Sequence, residues 1–207
     1  LQLCGTTLVF FALAALPYKT LAPSIALAAG MTGLILSGAP TLAVLYSVGG
    51  AALCWWGASP STIKGDIATH FLRRAGWGLL LTALAAAALA WQLDLWHWRI
   101  VWPYADPQHW GNFSRLLLWF TWPAWPLALW TLWRWRKHIT SRQMHRHLLL
   151  PLWFALLAIG SAFSTSASDR SLLLSLPALA TLAAFALPTL SRSVSALIDW
   201  FTLLFFS

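Results

Sequence analysis

Long apolar runs separated by short polar links make up the pattern along this chain. A helix that crosses the hydrocarbon core of a bilayer needs about 20 largely apolar residues. The runs approach that length. Where a run is shorter than the hydrocarbon core, flanking Trp and Arg residues can sit at the interface and compensate for the mismatch. They predict seven spans and the start of an eighth, at residues 3–16, 21–36, 40–58, 77–96, 116–133, 148–163, 172–190 and from 196 onward. We therefore predict an all-α fold, a polytopic transmembrane helical bundle that forms a single domain over residues 1–207.

The composition agrees with this membrane prediction. The chain is 59% hydrophobic and 9% charged, with a mean hydropathy of +0.69, whereas a soluble domain carries roughly 25% charged residues. Its net charge of +8 does not indicate nucleic acid, because the basic residues lie in short links between apolar runs. Membrane lipids are the expected partners. Since the sequence begins at Leu1 and ends at Ser207 within apolar stretches, we expect it to be a fragment of a longer protein.

The basic residues predict which links face the cytoplasm. Because successive spans alternate in direction, every second link lies on the same side of the membrane. One side then holds ten of the thirteen Lys and Arg residues: Lys19, Lys64, Arg73, Arg74, Arg134, Arg136, Lys137, Arg142, Arg146 and Arg192. The other side holds Arg99, Arg115 and Arg170. By the positive-inside rule the first side is cytoplasmic, which predicts a multi-pass protein of a bacterial inner membrane.

The outer side holds the links at residues 37–40, 97–115 and 164–170, where function is expected. The link 97–115 is too polar to span, and its aromatic residues suit the headgroup level, so we expect it to lie along the membrane surface. Most of the 16 tryptophans fall between residues 91 and 135, and Trp110 is among them. They form an aromatic belt, or some of them line a groove for a lipid chain or stack on a sugar. The sequence leaves both interpretations open.

Asp106 and His109 are the first candidate catalytic pair. The chain contains no Glu and only five Asp, so few residues could act as a base. Asp106 and His109 lie three residues apart, between Arg99 and Arg115, and such a group could bind phosphate or move a proton. The alternative is that Asp106 opens the turn favoured by Pro107 and that His109 sits at the headgroup level.

Asp169 and Arg170 place an acid and a guanidinium at the mouth of the span 172–190. Arginine at that position suits a phosphate group. The alternative is a helix N-terminus, with Asp169 favourable to the helix dipole and Arg170 reaching toward the interface. The sequence contains no Cys and His set with metal-ligand spacing, so it predicts no metal site.

Two stretches on the later spans resemble the bacterial family 39 glycosyltransferases, which include the lipid A aminoarabinose transferase and the protein O-mannosyltransferases. The first is WFTWPAWPLALWTLWRWR at residues 119–136, and the second is SDRSLLLSLPALATLAAFALP at residues 168–188. That family has a Pro-Trp element after an outer loop, and here the residues are Trp122-Pro123-Ala124-Trp125. Arg170 matches the family's basic position, and Leu176-Pro177 matches the first half of its Leu-Pro element. The resemblance covers residues 102–188.

The resemblance implies transfer of a sugar from a polyprenyl-phosphate carrier to a lipid or protein acceptor at the periplasmic face. On this hypothesis Arg170, with Arg115 or Arg99, holds the carrier phosphate, and the apolar spans hold its prenyl tail. The acidic base of such enzymes lies on an earlier loop, outside this sequence. The displacement is metal-assisted or metal-free, so a divalent cation is required only in the first case. The competing hypothesis is a non-enzymatic multi-span protein, such as a flippase or transporter component or an assembly subunit.

Overall fold

The structure is a computed structural model of the 207-residue chain. It describes residues 1–16, 18, 21–57, 66–95, 107–139, 145–164 and 172–206. Within these ranges the chain is helical and contains no strand, so the all-α prediction is confirmed. The elements are α1 (Gln2–Ala15), α2 (Leu21–Leu36), α3 (Pro40–Gly57), α4 (Asp66–Gln92), α5 (Pro107–Phe120), α6 (Ala124–Arg134), α7 (Arg136–Ile139), α8 (His145–Ser164), α9 (Leu176–Ala186) and α10 (Arg192–Phe206), with 3-10 turns at Leu173–Ser175 and Leu187–Thr189.

The chain between α5 and α6 differs from the prediction. The apolar run 116–133 was predicted as one span, but the helix stops at Phe120 and restarts at Ala124. Pro123 stands at the N-cap of α6, where its missing N–H removes no helical hydrogen bond, whereas inside a continuous helix it would remove one. A hydropathy profile does not show this break, because the residues on both sides of it are apolar.

The second half of the predicted surface link 97–115 is helical. Residues 107–115 belong to α5, and residues 97–106 lie outside the described part of the chain. α5 is amphipathic: Phe113 is buried, whereas Asn112 and Arg115 are exposed. The mixed polar and aromatic composition of residues 107–115 therefore belongs to a helix with one packed face.

One helix in the described residues is long and apolar enough to cross a membrane by itself. It covers Leu72–Gln92, 21 residues with a mean hydropathy of 1.4, within α4. The other apolar helices are shorter, at Gln2–Ala15, Leu21–Leu36, Pro40–Trp56, His147–Phe163 and Leu173–Thr189. Among the described residues the structure thus supplies one candidate span of full length, and the apolar helices that correspond to five of the other predicted spans are shorter.

Contacts between helix ends show that two pairs of helices are antiparallel. The Gln2 side-chain amide donates to the Ser37 carbonyl oxygen at 3.0 Å, which places the start of α1 beside the end of α2. The Trp110 and Phe163 rings lie 4.3 Å apart, which places the start of α5 beside the end of α8. Each contact joins the start of one helix to the end of another, so α1 is antiparallel to α2 and α5 is antiparallel to α8.

α8 packs closely across α3 at the centre of the core. The Tyr46 and Phe154 rings stack in parallel with centroids 4.0 Å apart, and both side chains are fully buried. The Trp153 Nε1–H donates to the Leu45 carbonyl oxygen at 3.2 Å. A Cβ at Gly49 would lie 1.9 Å from that nitrogen, so only glycine leaves room for the indole.

We expect Gly49→Ala to lower the free energy of unfolding by about 1–2 kcal/mol, because the indole of Trp153 must move and give up its hydrogen bond to Leu45. Unfolding in mixed micelles, followed by circular dichroism, measures this. Gly78→Ala in α4 is the control, since no atom lies within 4 Å of its added Cβ. Equal stability of the two variants would contradict the close contact.

Candidate functional site

Most of the site residues predicted from the sequence lie outside the described part of the chain. These are Arg99, Asp106, Asp169 and Arg170. His109 belongs to α5, but its side chain is also outside the described residues. Trp110 and Arg115 are described, and both are exposed on α5. The geometry of the predicted outer site therefore comes from α5 and from the elements that flank the link 165–171.

Trp110 and Phe113 pack against the end of α8. Phe163 lies 4.3 Å from the Trp110 ring and 4.9 Å from the Phe113 ring, the second contact being edge-to-face. Leu172 is fully buried in the same group. We call Trp110, Phe113, Phe163 and Leu172 the α5–α8 cluster. It forms because Trp110, Phe113 and Leu117 recur at helical spacing along one face of α5, where aromatic edge contacts stabilise the packing.

The α5–α8 cluster holds both ends of the link 165–171. Phe163 precedes that link and Leu172 follows it, and both belong to the cluster. The link carries Asp169 and Arg170, so the fold anchors the chain on either side of them beside Trp110. The Trp110 side chain is 55% exposed, which leaves much of its ring surface available to a ligand.

Arg115 is not on the same face of α5 as the cluster. Two residues separate it from the buried Phe113, and two helical steps rotate the side chain by about 200°. The Arg115 side chain, which is exposed, therefore leaves α5 on the face opposite to Phe113. The structure brings Trp110 to Phe163 at the end of α8 and does not bring Arg115 to the packed face of α5.

A basic cavity at the end of α6 was not predicted from the sequence. Its volume is about 310 Å³, and it is lined by Trp133, Arg134, Arg136 and Lys137. We call it the basic cavity. Helix α6 ends at Arg134 and α7 begins at Arg136, so the break at Trp135 places these side chains around one space. The run of Trp, Arg and Lys over residues 133–137 is the sequence signal for this cavity. The positive-inside rule takes from it only the side of the membrane.

A second cavity, between α3 and α8, is lined by apolar residues alone. Its volume is about 280 Å³, and the lining residues are Val48, Gly49, Ala52, Leu53, Leu149, Leu152, Trp153 and Leu156. A hydrocarbon chain suits such a lining, since no polar group has to lose water. It occupies the second half of α3 and the first half of α8, at the ends facing the predicted cytoplasmic links.

A divalent cation finds no cluster of ligands in the ranges that the structure describes. Among those residues, no three His, Cys, Asp or Glu side chains come together. Asp94 and Asp199, whose side chains are described, are exposed. The described residues therefore offer no set of ligands for a bound metal.

Comparisons with known proteins do not assign this chain to a family. No protein-family model matches the chain, and it matches neither a curated protein nor a solved structure. The resemblance to the family 39 glycosyltransferases rests on the residues quoted for it above.

Proposed function

We propose that this chain is a multi-pass membrane protein. The observation that carries the proposal is the outward apolar face of α4. Only 28% of the most apolar window in Leu72–Gln92 is buried, whereas the core helix of a soluble protein is mostly buried. Trp77, Leu81, Leu84 and Trp91 recur on one face, and each is more than half exposed. A stripe of large exposed apolar side chains is costly in water and favourable against lipid.

The proposed topology has seven spans and the start of an eighth. In this arrangement α5 and α6 together make one crossing, since the 11 residues of α6 reach only about half of the hydrocarbon thickness. The side with ten basic residues is cytoplasmic, and the start of α5 is periplasmic. The antiparallel contacts between helix ends support this order.

The proposed activity is transfer of a sugar from a polyprenyl-phosphate carrier to a lipid or protein acceptor on the periplasmic side. This chain supplies the carrier-binding part, and the resemblance implies that the base that takes the acceptor's proton lies on another segment. Arg170 holds the carrier phosphate through paired hydrogen bonds, and Trp110 offers an aromatic surface to the sugar or to the start of the prenyl chain. The contact between Trp110 and Phe163, which precedes the link 165–171, supports this assignment.

A non-enzymatic lipid-handling protein is the second candidate. The apolar cavity between α3 and α8 favours it, because that cavity could hold a lipid chain and has no carboxylate in its lining. A flippase or transporter component, or an assembly subunit, needs no catalytic base. The alternative would be favoured if the full-length protein bound a polyprenyl-phosphate-linked sugar but neither transferred the sugar nor released polyprenyl phosphate.

Thiol labelling in whole cells tests the topology. In a background with Cys4 and Cys54 replaced by Ser, a cysteine introduced at Asp106 should react with an impermeant thiol reagent. A cysteine at Arg142 should react only after the cells are opened, because the positive-inside rule places it in the cytoplasm. Reaction at Arg142 but not at Asp106 in intact cells would reverse the assignment.

Resistance to alkaline carbonate tests whether the protein spans the membrane at all. The protein should stay in the membrane pellet, because extraction would expose the apolar face of α4 to water. Recovery in the soluble fraction would exclude the multi-pass proposal, whatever the labelling pattern.

A further inference from the structure

The basic cavity concentrates positive charge without a described acidic partner. Arg134, Arg136 and Lys137 line it together with Trp133, and all four side chains are exposed. Asp94 and Asp199, the Asp side chains that the structure describes, do not line it. Three cations around one space repel each other, so an anion that entered would relieve this repulsion.

Trp133 positions one of these cations. The Arg136 guanidinium carbon lies 5.9 Å from the centre of the Trp133 ring. A guanidinium over a ring is held by cation–π attraction, while its N–H groups can still point outward in its own plane. This arrangement suits phosphate oxygens, which accept two parallel hydrogen bonds from arginine.

An apolar strip leads away from the cavity along α6. Leu129, Trp130 and Trp133 are exposed on neighbouring positions of that helix, and the two tryptophan rings lie 5.4 Å apart. The Trp130 Nε1–H donates to the Thr189 hydroxyl at 3.1 Å, which fixes this ring against the chain after α9. A ligand with a phosphate and an attached hydrocarbon chain would contact the cavity and the strip at once.

We propose that the basic cavity binds the phosphate headgroup of an anionic phospholipid from the leaflet on its own side of the membrane. This inference rests on the membrane part of the proposed function and not on the glycosyltransferase part. The positive-inside rule places the cavity at the cytoplasmic surface, where anionic headgroups attract clustered Lys and Arg. The acyl chains lie along Leu129 and Trp130. The bound lipid anchors the junction of α6 and α7 at the interface.

The test uses the full chain purified in detergent and native mass spectrometry. The probes are dihexanoyl-phosphatidylglycerol, dihexanoyl-phosphatidylcholine and glycerol 3-phosphate, which separate anionic lipid, zwitterionic lipid and free phosphate. We expect the wild type to prefer the anionic lipid over the zwitterionic one by roughly tenfold or more. The combined variant R134Q/R136Q/K137Q should lose roughly a hundredfold in affinity for the anionic lipid, since each cation contributes about fivefold.

R73Q/R74Q is the matched control. Arg73 and Arg74 are exposed on α4 and belong to the same predicted side, but neither lines the basic cavity. This variant should bind the anionic lipid within about twofold of the wild type. Arg136→Gln alone is a milder variant, expected to lose about fivefold, and circular dichroism checks that each variant keeps its helices.

Three results would overturn the proposal. The first is an equal loss in R73Q/R74Q, which would mean that net charge alone attracts the lipid. The second is unchanged binding in both cavity variants. The third is glycerol 3-phosphate binding as tightly as the anionic lipid, which would identify a free-phosphate site. Carbonate extraction tests whether the protein spans the membrane, and its result does not depend on lipid binding at the basic cavity. The two proposals can therefore be rejected separately.

Discussion

Replacing Gly30 with alanine is expected to lower the free energy of unfolding by about 2–3 kcal/mol, because α1 and α2 cross with their backbones in contact. A Cβ at Gly30 would lie 2.9 Å from the Gly5 carbonyl oxygen and 2.9 Å from Val9 Cγ2. A Cβ at Gly5 would lie 3.0 Å from the Gly30 carbonyl oxygen. Because backbone atoms cannot rotate away, the two helices must separate. The effect should therefore exceed that of Gly49→Ala, where a side chain can move.

Gly33→Ala is the control in the same helix. A Cβ there has Gly5 Cα as its nearest neighbour at 4.0 Å, which is ordinary contact. The substitution should leave stability unchanged or raise it by up to about 1 kcal/mol, since alanine favours the helix over glycine. Unfolding of both variants in mixed micelles measures the difference. If Gly30→Ala is as stable as Gly33→Ala, the backbone contact between α1 and α2 is wrong.

Arg170→Ala is expected to reduce the affinity of the full-length protein for a short-chain polyprenyl phosphate by roughly ten- to a hundredfold. Each charge-assisted hydrogen bond from the guanidinium to a phosphate oxygen contributes about 1.5–3 kcal/mol. Arg170→Lys should recover part of this loss, because lysine keeps the charge but cannot donate two parallel bonds. Sugar transfer should fall by a similar factor. Expression and membrane insertion should stay normal, since the predicted position is interfacial.

The polyprenol of the same chain length is the control ligand. It lacks the phosphate, so its affinity should be the same in wild type and in Arg170→Ala. An equal loss for the alcohol would show that Arg170 acts on the structure of the site rather than on the phosphate. If Arg170→Ala keeps wild-type turnover and affinity, the phosphate-binding role must pass to Arg115 or Arg99, or the carrier hypothesis must be dropped.

The bounds of α2 and α3 follow closely from the order of apolar and polar residues, whereas α4 begins at Asp66, eleven residues before the predicted start at residue 77. The run 21–36 has the same bounds as α2, and the run 40–58 differs by one residue from Pro40–Gly57. Local chemistry explains this agreement. Proline at the first position of a helix removes no intrahelical hydrogen bond, and an apolar run ends where polar or turn-forming residues make continued burial costly.

The candidate site was predictable only in part. The sequence predicted that the links 97–115 and 164–170 lie on the same side of the membrane. This prediction needs only the number of apolar runs between them, because successive spans alternate in direction. Contact between Trp110 and Phe163 could not be derived in that way, since it joins residues more than fifty positions apart through the packing of two helices. The rotation of Arg115 away from the packed face likewise requires α5 to be a helix, and composition had suggested a surface link.

The sequence by itself determined the helical class, the approximate bounds of the apolar helices and the asymmetry of basic charge, because each depends on residue types and their local order. Only the tertiary structure decided which glycines allow close crossings, and that Arg134, Arg136 and Lys137 surround a cavity beside Trp133. These features depend on how distant segments pack and on the direction in which a helix restarts. A hydropathy profile contains no information about the packing of distant segments or about the direction in which a helix restarts.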